Sequence, residues 1–234
     1  MSNRMAAPPR SVIDCKGQRG TMETDTSRKT IAAYDKNAQG YADKFDDYPT
    51  YRDRIADFQQ KHVPKGAHIL DLGCGPGCNI STILERDHTC TFDGVDLSGE
   101  FLRMARQRFP RFDFLQQDIC DLDLPGKYDV VLASFCIVHL TNEQTAGVMH
   151  RLPDAIRDGG CLYLSYMNGE KSGFETTSFS EETIFFNYYQ DEFIIDLLER
   201  NGMTVVEIAK DEYAEPDGST TIDTFIHAKK TSGG

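Results

Sequence analysis

The sequence predicts an α/β fold of the three-layer sandwich type, in which helices cover both faces of a seven-stranded mixed sheet. Short apolar runs alternate with amphipathic stretches from residue 68 to residue 167, which is typical of parallel strands joined by helices. Two further alternating segments, residues 203–214 and 220–230, are separated only by the turn sequence EPDGS and must pair antiparallel. We therefore expect five parallel strands followed by a C-terminal antiparallel hairpin.

Two helices are predicted before the sheet. Apolar residues recur at helical spacing in residues 30–45, and a second helical pattern in residues 48–63 ends before Pro64. Residues 1–26 are rich in small and polar residues and lack the apolar segment of a secretion signal, so we expect a disordered leader there. The remaining residues, 27–234, fit a single domain.

Strands and helices then alternate along the chain. The predicted strands are residues 68–73, 92–98, 112–119, 128–136 and 161–167. The predicted helices are residues 78–87, 99–109, 142–160 and 191–202, with Pro153 expected to kink or restart the third of them. The segment between the fifth strand and the last helix, residues 168–189, is long and rich in aromatic residues, which indicates a lid over a binding site.

The composition argues against several classes of partner. The net charge is −12 and no basic stripe is visible, so a nucleic acid is not expected to bind. No apolar run reaches the roughly 18 residues of a membrane span. The seven cysteines are scattered without paired CxxC spacing, which indicates reduced thiols in a cytoplasmic protein and no metal site. A small molecule is the expected partner.

A glycine-rich turn follows the first strand directly. In the sequence LDLGCGPG, Gly73, Gly75 and Gly77 come just after Asp71. A backbone without Cβ atoms can turn sharply and lie against a ligand, and the next helix offers unpaired N–H groups at its start. The spacing GxGxG differs from the GxGxxG fingerprint of dinucleotide-binding folds, because Cys78 occupies the third glycine position.

Carboxylates also mark the ends of the next two strands. Asp96 ends the second strand and Asp118 follows the third. A single carboxylate at such a position is more often a helix cap or a turn residue. Together with Asp71, however, the three stand in phase on consecutive strand ends, where ligands of parallel sheets bind. The set predicts a pocket for an adenosine.

These segments, in this order, resemble the class I S-adenosylmethionine-dependent methyltransferases of the Rossmann-like type. The stretches LDLGCGPG, GVDLS, QQDI and YDVVLASFCIVHL look like successive motifs of that family, and the likeness covers about residues 30–230. The stretch AAYDKNAQGYADKF resembles the helix that caps the cofactor in many small-molecule members, so residues 27–64 are expected to form N-terminal capping helices.

The resemblance implies a set of sites. The glycine turn would face the methionine part of S-adenosyl-L-methionine, Asp96 would hold the ribose, and Asp118 would meet the adenine amino group. The cofactor-binding residues implied in this way are Tyr34, Asp71, Gly73, Cys74, Gly75, Asp96, Leu97, Asp118, Ile119 and Ser134.

His139 is the candidate general base, because it follows the fourth strand and a histidine titrates near neutral pH. A structural role for this histidine is the alternative. The candidate acceptor-binding residues are Tyr41, Tyr166, Phe186 and Tyr188. Tyr34 and Tyr41 could instead be core aromatic residues, and in the lid Phe185 and Tyr189, four residues apart, could simply anchor the segment to the core.

The predicted function is methyl transfer from S-adenosylmethionine to a small molecule, by in-line displacement in which positioning supplies most of the catalysis. The motif of amino-directed nucleic-acid methyltransferases is absent, since the corresponding position reads SFCI. The alternatives are an NAD(P)-dependent oxidoreductase and a non-catalytic protein that binds an adenosyl cofactor. The sequence specifies neither the acceptor atom nor the oligomeric state.

Overall fold

The computed structural model describes residues 20–122, 128–215 and 218–231, with only the backbone described for residues 20–24. Most of the predicted leader therefore lies outside the described residues, and its last part, from Gly20, belongs to the first helix. The helices are α1 (Gly20–Lys36), α2 (Ala38–Phe45), α3 (Pro49–His62), α4 (Cys78–Arg86), α5 (Gly99–Arg108), α6 (Asn142–Ala155) and α7 (Asp191–Arg200). The strands are β1 (His68–Leu72), β2 (Thr91–Asp96), β3 (Asp113–Gln116), β4 (Tyr128–Ser134), β5 (Ile156–Asn168), β6 (Ser172–Thr177), β7 (Ser180–Asn187), β8 (Met203–Ala214) and β9 (Thr220–Lys230).

Seven strands form one mixed sheet in the order β3-β2-β1-β4-β5-β9-β8. Strands β1 to β5 are parallel, whereas β9 runs antiparallel to both β5 and β8. The predicted fold class, with five parallel strands and a C-terminal antiparallel hairpin, is confirmed. The chain order reverses between the adjacent strands β1 and β4, and a crevice at such a reversal is where ligands of these sheets bind.

Helices cover the sheet on both faces through two apolar clusters. Leu102 of α5 and Phe58 of α3 belong to the cluster on one face, whereas Met149 of α6 and Ile194 of α7 belong to the cluster on the other. Full burial of such side chains contributes about 1.5–3 kcal/mol each. No helix among the described residues is long and apolar enough to cross a membrane.

The predicted boundary between α6 and β5 was wrong. The helix ends at Ala155, with Pro153 inside its last turn, and β5 begins at Ile156 rather than at residue 161. Ile156 pairs with Tyr128, and the register then shifts before Cys161. Residues 157–160, RDGG, contain no apolar residue, so they lack the alternation that predicts a strand. The sequence therefore gives no sign that the strand begins before residue 161.

The segment predicted as a lid loop, residues 168–189, contains a second sheet. Strands β6 and β7 form an antiparallel hairpin, which the sequence analysis did not predict. The hairpin contacts α1, since the Phe185 N–H donates to Thr30 Oγ1 at 3.2 Å. Asn37, after α1, donates to Ser180 Oγ at 3.0 Å. The hairpin and α1 thus lie together above the carboxyl ends of β4 and β5.

Candidate active site

The glycine turn after β1 depends on left-handed backbone conformations. Gly73, Gly75 and Gly77 have φ angles of 65°, 53° and 90°, which residues with a Cβ rarely adopt. A Cβ at Gly73 would lie 2.5 Å from Cys136 Cβ, and one at Gly77 would lie 2.6 Å from the Phe109 ring. At Gly75 a Cβ would lie 3.9 Å from Cε1 of Tyr41, so a side chain is disfavoured there by the backbone conformation and not by a collision.

Asp96 joins this turn to β2. Its Oδ2 accepts a hydrogen bond from the Gly75 N–H at 2.9 Å, and its Oδ1 accepts one from the Ser98 N–H at 2.8 Å. Burial raises the pKa of the Asp96 carboxyl, and the backbone N–H groups of Ser98 and Gly75 act in the opposite direction. Asp96 therefore holds the turn in shape while its side chain lines a cavity.

Asp71 lies fully buried beneath the turn. Its Oδ1 accepts from Asn79 Nδ2 at 3.3 Å, whereas its Oδ2 has no hydrogen-bond partner among the residues that the structure describes. Burial raises the pKa of this carboxyl to about 7. Because buried polar atoms are nearly always hydrogen-bonded, this oxygen calls for a donor that the described residues do not supply.

His139 forms two hydrogen bonds that fix its tautomer. Its Nδ1 lies 2.8 Å from the Phe185 carbonyl oxygen, which can only accept, so Nδ1 carries the proton. Its Nε2 therefore accepts from the Tyr34 hydroxyl, 2.9 Å away. Burial lowers the pKa of His139 to about 4, and burial followed by the charge of Asp96 raises the pKa of Tyr34. Both groups are neutral at pH 7.

One cavity of about 260 Å³ unites most of the predicted site residues. It lies over the reversal between β1 and β4, and α1, α2 and the β6–β7 hairpin form its upper wall. The predicted residues that line it are Tyr34, Tyr41, Gly73, Cys74, Gly75, Asp96, Leu97, Asp118, Ile119, Ser134, His139 and Phe186.

Three predicted site residues do not line the cavity. Asp71 is buried below the turn, and Tyr166 is buried with its hydroxyl donating to Asp191 Oδ1 at 2.8 Å. The Tyr188 hydroxyl donates to Glu175 Oε2 at 3.0 Å. Successive side chains of a strand point to opposite faces, and Met167, the neighbour of Tyr166, is the residue that lines the cavity.

Sequence reasoning missed one end of the cavity. Tyr51 of α3, Phe135 after β4, and Tyr213 and Asp223 of the last two strands line it, as does Phe179 of the predicted lid segment. Asp223 stands in a strand whose sequence alternates apolar and polar residues, so its burial could not be predicted from that pattern. No signal marks Tyr51, Phe135 or Tyr213, because aromatic residues in such segments are equally consistent with the core.

A separate cluster is the one group of possible metal ligands found among the described residues. His62, Glu207 and His227 bring ligand atoms within 4.8 Å of one another. Glu207 is already bonded to Lys61 Nζ at 2.8 Å, and none of the three residues lines the cavity. We assign this cluster no part in the site.

The strand order, with β9 inserted antiparallel between β5 and β8, and the glycine turn tied to the acidic end of β2 agree with the fold that the resemblance to class I S-adenosylmethionine-dependent methyltransferases implied. Residues 69–160 match a family model described as a methyltransferase domain.

The chain is similar to curated methyltransferases over part of its length. A trans-aconitate 2-methyltransferase of Rhodopseudomonas palustris is 33% identical over 130 residues, which cover 55% of this chain and 48% of that protein. The chain thus spans about half the length of the curated relatives it matches.

Solved structures share the fold at low identity. A 1,6-didemethyltoxoflavin-N1-methyltransferase of Burkholderia thailandensis, with bound S-adenosylhomocysteine, has a TM-score of 0.68 and 17% identity, covering 99% of this chain and 94% of its own. The [4+2]-cyclase SpnF has a TM-score of 0.61 and 14% identity, covering 79% and 82%. At these identities the likeness shows the fold alone.

Proposed function

We propose that this chain transfers a methyl group from S-adenosylmethionine to a small-molecule acceptor. The observation that carries the proposal is the single cavity that joins the glycine turn and Asp96 to an aromatic wall. The carboxylates of Asp96 and Asp118 in the lining of this cavity fit a ligand with hydrogen-bond donors and a cationic part. The named relatives support the reaction class, and they do not agree on the acceptor.

Four residues, two of them glycines of the turn, would hold the cofactor. The turn at Gly73 and Gly75 would face its methionine part, Asp96 would accept hydrogen bonds from the ribose hydroxyls, and Asp118 would accept one from the adenine amino group. When bound, S-adenosylmethionine supplies a methyl carbon already activated by a sulfonium. The residues of the chain then contribute by positioning the acceptor and excluding water, and positioning can supply about 7–11 kcal/mol of the barrier.

His139 serves in this proposal as a positioning residue. Its depressed pKa makes the imidazole a weak proton acceptor at pH 7, and its Nε2 is already occupied by the Tyr34 hydroxyl. It would fix Tyr34 of α1 against the end of β4. The prediction that His139 is a general base stays a prediction, which a pH profile of His139→Gln turnover tests.

Asp96→Ala tests the cofactor site. Calorimetric titration of S-adenosylhomocysteine into the wild type should show binding near 1 μM, or about −8 kcal/mol. The variant should bind at least about 10-fold more weakly, because hydrogen bonds to a charged group contribute about 1.5–3 kcal/mol. Asp113→Ala, which removes an exposed carboxylate at the start of β3, should leave the affinity unchanged.

NADH titrated in parallel separates this proposal from the oxidoreductase alternative. Binding of NADH in place of S-adenosylhomocysteine would favour an oxidoreductase, and binding of neither would remove the proposed cofactor. A protein that binds S-adenosylhomocysteine but methylates none of a broad set of acceptors would favour the non-catalytic alternative.

A further inference from the structure

The cavity extends beyond the glycine turn to a second end, built by Tyr51, Tyr213, Glu215 and Asp223 and called here the acceptor end. Its lining continues from the turn. Cys136 contacts Gly73, and the preceding residue, Phe135, places its ring 4.8 Å from that of Tyr51. A molecule in the acceptor end therefore shares one continuous space with whatever lies on the turn.

Asp223 is the buried carboxylate of this end. It is 3% exposed, and its Oδ2 accepts a hydrogen bond from the Tyr51 hydroxyl at 2.8 Å. Asp211 of β8 is the residue paired with Asp223 in the sheet. The Asp211 carboxylate forms an ion pair with Arg54, whose guanidinium lies 2.6 Å away. The guanidinium of Arg54 is thus engaged by a carboxylate other than that of Asp223.

The charges around the cavity are mostly negative. The carboxylates that line it are Asp96, Asp118, Glu175, Glu215 and Asp223. Lys44 is the one lysine or arginine among the described lining residues, and its Nζ contacts the hydroxyls of Ser178 and Tyr213. An anionic acceptor would meet like charges here, whereas a cation would meet carboxylates and the faces of aromatic rings.

We propose that the acceptor is an amine with an apolar or aromatic body, bound as an ammonium ion at Asp223, and that Asp223 removes the proton that frees its lone pair. This inference rests on the proposed methyl transfer. The ammonium gives one proton to the Asp223 carboxylate. The lone pair of the free amine then forms the N–C bond to the methyl carbon. The S–C bond breaks at the same time, and the electron pair of that bond stays on sulfur, which becomes a neutral thioether. The product leaves as an N-methylammonium ion.

The surroundings of Asp223 also set the direction of the pH dependence. Burial raises the pKa of Asp223 to about 7, the Tyr51 hydroxyl lowers it, and Glu215 and Asp211 raise it. The titratable and charged groups around this end are Tyr48, Tyr51 and Arg54 on α3, Asp211, Tyr213 and Glu215 on and after β8, Tyr163 on β5, and Lys44 on α2. Because the carboxylate must be ionised to accept a proton, amine methylation should increase as the pH rises through about 7.

The binding test uses protein saturated with S-adenosylhomocysteine. Calorimetry compares 2-phenylethylamine with 3-phenylpropanoate, two molecules of similar size and opposite charge. We expect only the amine to bind, with a dissociation constant below about 10 mM. Asp223→Asn should weaken it at least about 10-fold. Glu212→Gln, which removes an exposed charge from β8, should leave it unchanged.

Three results would overturn the inference: preferential binding of 3-phenylpropanoate, no binding of the amine, or unchanged amine binding in Asp223→Asn. Failure of S-adenosylhomocysteine to bind would instead overturn the proposed function. The two failures are therefore distinguishable in a single series of titrations.

Tyr51→Phe covers the case in which Asp223→Asn does not fold. It preserves the ring that contacts Phe135 and removes the hydrogen bond that lowers the pKa of Asp223. Carbon-13 NMR of aspartate carboxylates should show the Asp223 resonance titrating near 7 in the wild type and at higher pH in the variant. A wild-type value near that of an exposed aspartate would contradict the assigned role.

Discussion

Gly73 lies so close to Cys136 that no side chain fits between them. The left-handed backbone at this residue brings the end of β1 against the segment after β4, and this contact forms the floor of the cavity. A neighbouring residue of this segment, Phe135, itself has a φ of 50°, an uncommon conformation for a residue other than glycine. The two segments are thus held in conformations that suit close approach at the site.

Gly73→Ala should lower the free energy of unfolding by more than the roughly 1–2 kcal/mol cost of a left-handed residue, because the new methyl group also collides with Cys136. Gly147→Ala is the control, since a Cβ there would meet nothing within 4 Å in the exposed face of α6, and it should raise stability by about 0.5–1 kcal/mol. Urea unfolding measures both. Equal stability of the two variants would contradict the close contact.

His139 should make stability depend on pH. Its folded-state pKa is near 4, below the ordinary 6.5 of the unfolded chain, so the unfolded state binds the additional proton as the pH falls. The stabilisation from the neutral imidazole is complete above about pH 6.5 and is lost as the pH falls towards 4. Relative to His139→Gln, which can keep both hydrogen bonds, the wild type should lose about 1 kcal/mol between pH 7 and pH 5 after allowance for solvent in the cavity. Identical pH profiles would contradict this pKa.

Single residues also show where the sequence was ambiguous. The motifs placed Asp96, Asp118 and the glycines at the cavity because each follows a strand whose direction the pattern predicts. Tyr166 and Met167 could not be separated in this way, because β5 is buried on both faces and has no alternation to show which side chain meets the site.

At the scale of elements, the β6–β7 hairpin and α1 form one wall of the cavity. Asn37 Nδ2 donates to the Ala33 carbonyl, to Ser180 Oγ and to Glu182 Oε2, and Lys36 forms an ion pair with Glu182. The Tyr34 hydroxyl bonds to His139 below. This wall is held by polar contacts between elements far apart in the sequence and by the stacked rings of Tyr34 and Phe179, whose centroids are 5.8 Å apart.

Asn37→Ala should loosen the hairpin from α1. Loss of its side-chain hydrogen bonds is expected to cost about 1–2 kcal/mol, and amide hydrogen exchange of β6 and β7 should increase about 10-fold. Gln39→Ala removes an exposed amide of α2 that bonds to Asp43, and it should leave this exchange unchanged. Unaltered protection of β7 in Asn37→Ala would show that apolar contacts hold the hairpin.

The elements differ in how far the sequence specified them. The parallel strands alternate with amphipathic helices over long stretches, so both type and order could be predicted. The hairpin could not, because β6 is a short, half-exposed strand, SGFETT, whose one apolar residue is Phe174, and it depends on its pairing with β7.

The whole molecule follows one topological rule. Strand order reverses between β1 and β4, and the cavity opens at that reversal, at the carboxyl ends of the strands where the sequence analysis expected a ligand. The sequence could not specify the acceptor end, because it depends on α3 packing against β8 and β9 of the sheet. Contacts among distant segments leave no local pattern in the chain.

Ligand binding should therefore stabilise the molecule as a unit. At 100 times its dissociation constant, S-adenosylhomocysteine should add about 2.7 kcal/mol to the free energy of unfolding and raise the Tm accordingly. The increase in hydrogen-exchange protection should be largest in α1 and the β6–β7 hairpin and smallest in α7. A uniform increase across the chain would contradict a wall that closes on the ligand.

The position of β9 between β5 and β8 has a consequence for divergence. The glycine turn and the carboxylates that follow β2 and β3 are all present in the chain before residue 120, whereas Asp223 is contributed by the final strand. On the functions proposed above, the carboxylate that holds the amine lies on a different segment of the chain from the residues that hold the methyl donor. Substitutions in β9 can then change which amine is methylated while the methyl donor stays the same.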